Sequence, residues 1–398
     1  MNLPLKPMQY RRFGRTELAM PVFSCGGMRY QYKWQDQDPA AIPPDNQANL
    51  QATVQRAWEL GITHIETARG YGTSEMQLGW VLGQFPRERL IVQTKIAPDP
   101  DPQVFAEKFA KSLHYLQLEY VDLLAIHGLN LPEHLEWSLR VCLPLVRRWQ
   151  QEGMVRFVGF STHGHVSLIT QAIHTGEFDY VNLHWYYIFQ ENWPAIVAAQ
   201  QQDMGVFIIS PTDKGGHLYQ PPPKLVQLCQ PLHPMVFNDL FCLSHPQVHT
   251  LSVGAARPTD FDEHLKTLAL LDKAQEILPP ILARLEQAAR AALGDEWFEL
   301  WAVNLPPWFA TPGQVNMPLI LRLLNLAEAF DLWDYGRTRY GMIGQAGHWV
   351  PGRNAAELPL EELRACLAHH PLPDQVLERL RRAHQLWGAA QGQRLSGA

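Results

Sequence analysis

Up to about residue 275, short apolar runs alternate with longer segments of helical period, and this alternation narrows the possible folds more than any other feature of the chain. The runs are Met20–Ser24, His64–Glu66, Leu90–Lys95, Val121–His127, Val155–Ser161, Tyr180–Trp185, Gly205–Ser210 and Thr250–Gly254. Each is bounded by polar residues or glycine. Such runs, apolar on both faces, read as parallel strands buried on both sides. Asn46–Leu60, Ser74–Gln84 and Pro102–Leu116 read as helices between them, and strand–helix alternation means a parallel sheet. Eight strands predict a closed (β/α)8 barrel. Tyr10–Ala19, with Gly14 inside it, predicts a small hairpin on the barrel floor. Periodicity alone does not separate a closed from an open sheet. A doubly wound dinucleotide fold would carry GxGxxG after its first strand, whereas this chain has Ser24-Cys25-Gly26-Gly27-Met28 there.

The pattern changes after residue 275. Ala274–Ala292, Pro318–Phe330, Leu360–Ala368 and Asp374–Trp387 read as helices, separated by Pro-rich or Gly-rich breaks, with no strand pattern. The expected organisation is a barrel over residues 1–275 and a helical region over 276–398. A chain of 398 residues that is 46% hydrophobic is long enough for both. The formal net charge of -6 gives no basic face for a nucleic-acid partner. No apolar stretch is long enough to span a bilayer, and residues 1–12 do not read as a secretory signal, so no membrane association is expected. The 5 cysteines form no CxxC pair, which suits free thiols in a reducing cytoplasm. His163/His165 and His369/His370 lack the helical spacing with a nearby carboxylate that a zinc site would use, so no metal is expected.

Catalytic groups of such barrels sit at the C-terminal ends of the strands. There the second strand leads into Glu66 and Tyr71, the third ends in Thr94-Lys95, and the fourth ends in Ile126-His127. A carboxylate, a phenol, an ammonium and an imidazole therefore meet on one rim, and together they suit carbonyl reduction. Hydride arriving at carbon puts negative charge on oxygen, which a neutral His127 can hydrogen-bond. Tyr71 can then protonate it. A free phenol has a pKa of about 10; the Lys95 ammonium would favour the phenolate. Glu66 would hold the lysine's charge in an apolar setting. Taken singly, each of these residues is more readily a rim or packing residue; their shared position on successive strand ends carries the reading. A barrel hydrolase or isomerase with Glu66 as base would leave Lys95 and His127 without a joint purpose.

Glu66-Thr67-Ala68-Arg69-Gly70-Tyr71-Gly72-Thr73-Ser74-Glu75 with Leu78-Gly79 resembles the aldo-keto reductase segment D-T-A-x-x-Y-G-x-S-E-x-x-L-G. The Leu90–Lys95 run, Tyr120–His127 and Val155–Thr162 are similar to that family's lysine, Y-V-D-L-x-x-x-H and V-R-x-I-G-x-S-N strands. The resemblance runs from about residue 8 to 272. It implies a (β/α)8 barrel and NADP(H) extended along the rim, with a small-molecule carbonyl compound as substrate. It also implies catalytic roles for Tyr71, Lys95, His127 and Glu66. By the same resemblance, Ser161, Thr162 and Asn182 match the residues that hold the nicotinamide amide. Ser210 and Lys214 lie on the Gly-bearing loop after strand seven, with Lys214 placed to approach the pyrophosphate. Gly254 and Ala255 open the last barrel helix, whose backbone N–H groups suit phosphate, and Arg257 would pair with the 2′-phosphate. The chain departs from the family at Glu66, where aspartate is usual, at Thr162 and Asn182, where asparagine and glutamine are usual, and at Ile208-Ile209-Ser210, where an aromatic residue usually stacks on the nicotinamide. These departures keep a second expectation alongside the enzyme: a non-catalytic NADP(H)-binding sensor or assembly subunit.

The C-terminal region is similar to the ferredoxin-like tail of a bacterial branch of the family. Thr311-Pro312-Gly313-Gln314-Val315-Asn316-Met317-Pro318 resembles its C-P-x-G-V-x-I-P segment with threonine for cysteine, and His370-Pro371-Leu372-Pro373 resembles a second such segment. A cluster needs several thiolates together, and only Cys366 lies in this region. The expectation is a tail that keeps its helices and holds no cluster.

Overall fold

The computed structural model describes residues 6–390. Eight parallel strands close into a barrel in the order β8-β1-β2-β3-β4-β5-β6-β7. They are β1 Phe23–Gly26, β2 His64–Glu66, β3 Ile91–Ile96, β4 Val121–His127, β5 Val155–Ser161, β6 Tyr180–Leu183, β7 Gly205–Ile208 and β8 Thr250–Val253. Helices such as Pro44–Glu59, Ser74–Leu82 and Pro102–Leu116 connect them.

The expected first run divides in two. Ala19–Pro21 pairs antiparallel with Tyr10–Arg12 as the floor hairpin, and the barrel strand starts at Phe23. Pro21 has no N–H with which to continue a ladder, so the chain changes partner there. Val22 donates backward to Gln9 O at 3.0 Å and accepts from Leu251 N of β8 at 3.0 Å. Phe13, between the hairpin strands, is fully buried and meets the ring of Tyr180 at 5.7 Å, with Leu123 and Phe207 in the same apolar plug.

Above that plug the barrel interior is polar. Ser24 Oγ lies 2.7 Å from both His64 Nδ1 and Thr250 Oγ1, and His64 Nε2 lies 3.1 Å from Gln93 Oε1. Buried away from water, and with the Lys95 charge nearby, His64 has its pKa pulled down to about 3, against the opposing pull of Gln93. Burial, with help from Arg11, likewise lowers His249 to about 4.

The chain forms two compact units. One holds residues up to Gly215 together with Met235–Gln275; the other holds Gly216–Pro234 together with the chain from Glu276 onward. The excursion 216–234 thus groups with the C-terminal helices. Within that second unit Lys224 Nζ donates to Glu328 O at 3.3 Å, and Arg284 Nε donates to Leu228 O at 3.1 Å. Its core is built by the apolar faces of Met317–Phe330 and Pro373–Trp387, with Leu321, Leu324, Val376 and Leu380 buried. Trp297 donates its indole N–H to Asn325 Oδ1 at 2.9 Å. No helix among the described residues is long and apolar enough to cross a membrane.

The positions where the tail motif would carry cysteine are occupied by groups bonded inward. Thr311 Oγ1 lies 2.9 Å from Pro307 O, and His370 accepts from Leu372 N at Nδ1 (2.9 Å) while Nε2 reaches Trp301 O (3.1 Å). With both ring nitrogens engaged, His370 offers no lone pair to a metal.

Two expectations follow. Between pH of about 6.5 and 4 the unfolded chain takes up protons at residues 64 and 249 that the folded chain refuses. Stability therefore falls as pH falls, by up to about 1.4 kcal/mol per pH unit for each histidine. Urea midpoints measured across that range should show a shallower fall in His64→Gln; an unchanged slope would rule out His64 as a source. Protein purified without oxygen should carry neither iron nor acid-labile sulfide, and stoichiometric amounts of both would overturn this reading of the tail.

Candidate active site

The rim at the C-terminal ends of β2, β3 and β4 gathers four side chains from adjacent strands. Glu66 ends β2 and Lys95 lies one residue before the end of β3; they are 3% and 1% exposed. Their carboxylate and ammonium form a direct ion pair, Nζ on Oε1. Lys95 Nζ also reaches Thr67 O at 2.9 Å and the Tyr71 hydroxyl at 3.2 Å, and it lies 4.6 Å from the Tyr71 ring centre. The Tyr71 hydroxyl is 3.4 Å from Glu66 Oε1. Burial pulls the Lys95 pKa well below that of a free lysine, and the adjacent carboxylate works against this by favouring the charged form. His127, the last residue of β4, sets its ring edge-on to Tyr71 with centroids 5.7 Å apart. The four residues picked out from strand ends are thus brought together, and the extra methylene of Glu66 has not cost it Lys95.

Register carries the site sideways. His127 pairs with Ser161 of β5, and Ser161 with Asn182 of β6, so the three stand in a row. Ser161 Oγ accepts from Gly128 N at 3.1 Å, a bond that does not use the hydroxyl proton. Asn182 is fully buried, and neither its Oδ1 nor its Nδ2 has a hydrogen-bond partner. An unmet buried amide is costly, so this position suits a ligand offering one donor and one acceptor, as a carboxamide does. Thr162 is different. Its hydroxyl donates to Leu129 O at 2.6 Å and accepts from Gly164 N at 2.9 Å, and its N–H goes to Asn182 O. Its hydroxyl proton and its N–H are thus both spent within the fold.

Farther round the rim, Ser210 holds a left-handed φ of 54° and its carbonyl accepts from Lys214 N at 3.0 Å. Lys214 Nζ turns toward β5 and β6, 3.1 Å from His184 Nε2 and 3.2 Å from His163 Nδ1. Gly254 O accepts from Arg29 at 3.0 Å, and Ala255 is buried. Arg257 is largely exposed, with Nε 3.0 Å from Asp260 Oδ1; the other oxygen of Asp260 accepts from Ala256 N at 2.9 Å.

A strap over Tyr71 was not foreseen. Trp34 meets the Tyr71 ring edge-on at 6.0 Å. The strap is laced by backbone N–H groups: Tyr32 N gives to Gln77 Oε1 at 2.9 Å, and Lys33 N to Thr73 Oγ1 at 3.1 Å. Gly72, at φ 55°, lies so close to Lys33 O that a Cβ has no room. Beyond Trp34, Asp36 pairs with Arg69 and, at 2.6 Å, with Lys111. Nothing in the polar run Gln35-Asp36-Gln37-Asp38 points to that role, because the partners lie on other elements.

Residues 24–220 match the model of the Aldo/keto reductase family. The chain is 37% identical over 119 residues to L-galactose dehydrogenase of Arabidopsis thaliana, a match that covers 28% of this chain and 37% of that protein. It is 25% identical over 150 residues to an NADH-specific methylglyoxal reductase of Escherichia coli, covering 32% of this chain and 45% of the relative. These matches span less than half of each relative. A D-threo-aldose 1-dehydrogenase of a Pseudomonas species is 24% identical over 278 residues, or 55% of this chain and 83% of that protein. Among solved structures, the holo form of an aldo-keto reductase from Bacillus halodurans superposes with a TM-score of 0.59 at 19% identity, covering 70% of this chain and 96% of that one. That likeness concerns the fold.

Removing one member of the buried pair should be far worse than removing both. Lys95→Met strands the Glu66 carboxylate, and a loss of about 3–5 kcal/mol is expected. The double variant Lys95→Met/Glu66→Gln should recover a good part of it. Urea unfolding of the three proteins measures this; equal losses in single and double variants would show that the pair is not coupled.

Proposed function

With residues 24–220 belonging to the aldo/keto reductase family, we propose that the protein reduces an aldehyde or ketone to an alcohol, using NADPH in a reducing cytoplasm. The observation that carries this reading is the Tyr71 hydroxyl set 3.2 Å from the ammonium of Lys95, itself paired with Glu66.

The nicotinamide cofactor, when bound, supplies hydride to the carbonyl carbon. Everything else falls to the chain. Ser161 and the unmet amide of Asn182 suit the nicotinamide carboxamide. Arg257 suits the 2′-phosphate, because Asp260 engages its Nε and leaves the side chain largely exposed. Lys214 and the Gly254-Ala255 turn serve the diphosphate. His127 donates a hydrogen bond to the substrate oxygen and orients it. Tyr71 transfers its hydroxyl proton to that oxygen as charge develops there, and the phenolate left behind faces Lys95 until a proton from solvent restores it. Trp34, edge-on to Tyr71 at 6.0 Å, would flank a substrate held at the phenol.

Purified protein should oxidise NADPH when offered a panel of aldehydes and ketones. Tyr71→Phe should lower kcat by at least about 10²-fold while leaving the NADPH Kd within about twofold, since the phenol acts in the transition state. Fluorescence titration should show tighter binding of NADPH than NADH, with the preference lost in Arg257→Ala. Full turnover by Tyr71→Phe ends the mechanism, equal affinities end the assignment of Arg257, and binding without reduction of any compound favours the sensor reading.

A further inference from the structure

The reaction proposed above uses one oxygen of Glu66, and the other has its own surroundings. Oε1 takes Lys95 and faces Tyr71 at 3.4 Å. Oε2 faces Ser252 Oγ at 3.4 Å, across the barrel seam from β8. Ser252 is 7% exposed and pairs in register with Ser24; two residues further along β1, Gly26 sits opposite Glu66 on β2. Gly26 is what lets the contact exist. A Cβ there would lie 2.6 Å from Ser252 Oγ and 3.2 Å from Glu66 Oε2. The long carboxylate, the seryl hydroxyl and the missing side chain therefore fit one another.

We propose that Ser252 is a positioning residue for the proton-donating tyrosine, acting through Glu66: it draws the carboxylate toward β8, so that Glu66 spans from Lys95 on β3, past β1, to Ser252 on β8. The step is electrostatic. Charge held at Oε2 by a hydroxyl donor is charge withheld from Lys95. The ammonium then keeps more of its field for the Tyr71 oxygen and stabilises the phenolate left when the proton has gone. An aspartate at position 66 is one methylene too short to serve Lys95 and Ser252 together. Glutamate at this position is matched to serine 252 and glycine 26, and is not a lesion in the site.

This proposal concerns the site described under the proposed function, so its test reads ionisation and not turnover. Tyrosines labelled at 13Cζ are followed by NMR from pH 6 to 12, and Tyr71 is assigned by the signal missing from Tyr71→Phe. In Ser252→Ala the Tyr71 ionisation constant should fall by about tenfold relative to the parent, one pH unit upward. Ser252→Thr keeps the hydroxyl and should return it to within about twofold of the parent. Glu66→Asp should shift it in the same direction as Ser252→Ala, with no further change in the double variant. An unmoved Tyr71 in Ser252→Ala, or a Ser252→Thr protein that behaves like the alanine variant, overturns the proposal. A protein that reduces no carbonyl compound would defeat the proposed function and leave this comparison intact.

Discussion

A lysine and a glutamate, each at most 3% exposed, face each other inside the barrel mouth. Neither charge is tolerable there alone. Desolvation of a single ion costs several kcal/mol, and only a partner at contact distance offsets it. Strand register must therefore be correct to within one residue, because a slip would turn Glu66 or Lys95 outward and leave the other unmatched. The pair also settles what its surroundings can be. Thr67 gives its carbonyl to Lys95, and Tyr71 brings its hydroxyl to the same nitrogen. The histidine below them stays neutral in part because that charge is near.

Most of the barrel was legible in the chain because burial on both faces leaves a mark that needs no partner to be read. Runs such as Val121–His127 and Val155–Ser161 are strands over the same residues in the structure. The first run was misread because apolar character continues through Pro21 while hydrogen-bond direction does not. The grouping of residues 216–234 with the C-terminal helices was hidden for a related reason: contacts such as Lys224 with Glu328 span a hundred residues and leave no local period.

The site divides along the same line. Glu66, Tyr71, Lys95 and His127 were found because each stands at or just past a strand end, a place sequence can count to. Asn182 is legible by position, but its significance lies in both amide atoms being unmet, a consequence of packing that no local pattern carries. Thr162 has the right place in the sequence, yet its hydroxyl closes the loop through Leu129 and Gly164. Ser252 lies within β8, two residues before Gly254, which follows the end of the strand. The alternation of a strand gives its direction, and nothing local says that Glu66 lies across from it.

The strap over Tyr71 is fastened differently at its two ends. Near Tyr32 and Lys33 it is held by hydrogen bonds that backbone N–H groups donate to the buried side chains of Thr73 and Gln77, and by the close approach of Gly72. At Asp36 it is held by ions, with Asp36 and Lys111 partly in water. Dissolved salt weakens exposed charge pairs and leaves buried hydrogen bonds almost untouched. The two fastenings therefore differ in their response to ionic strength, which weakens the outer, ionic one first.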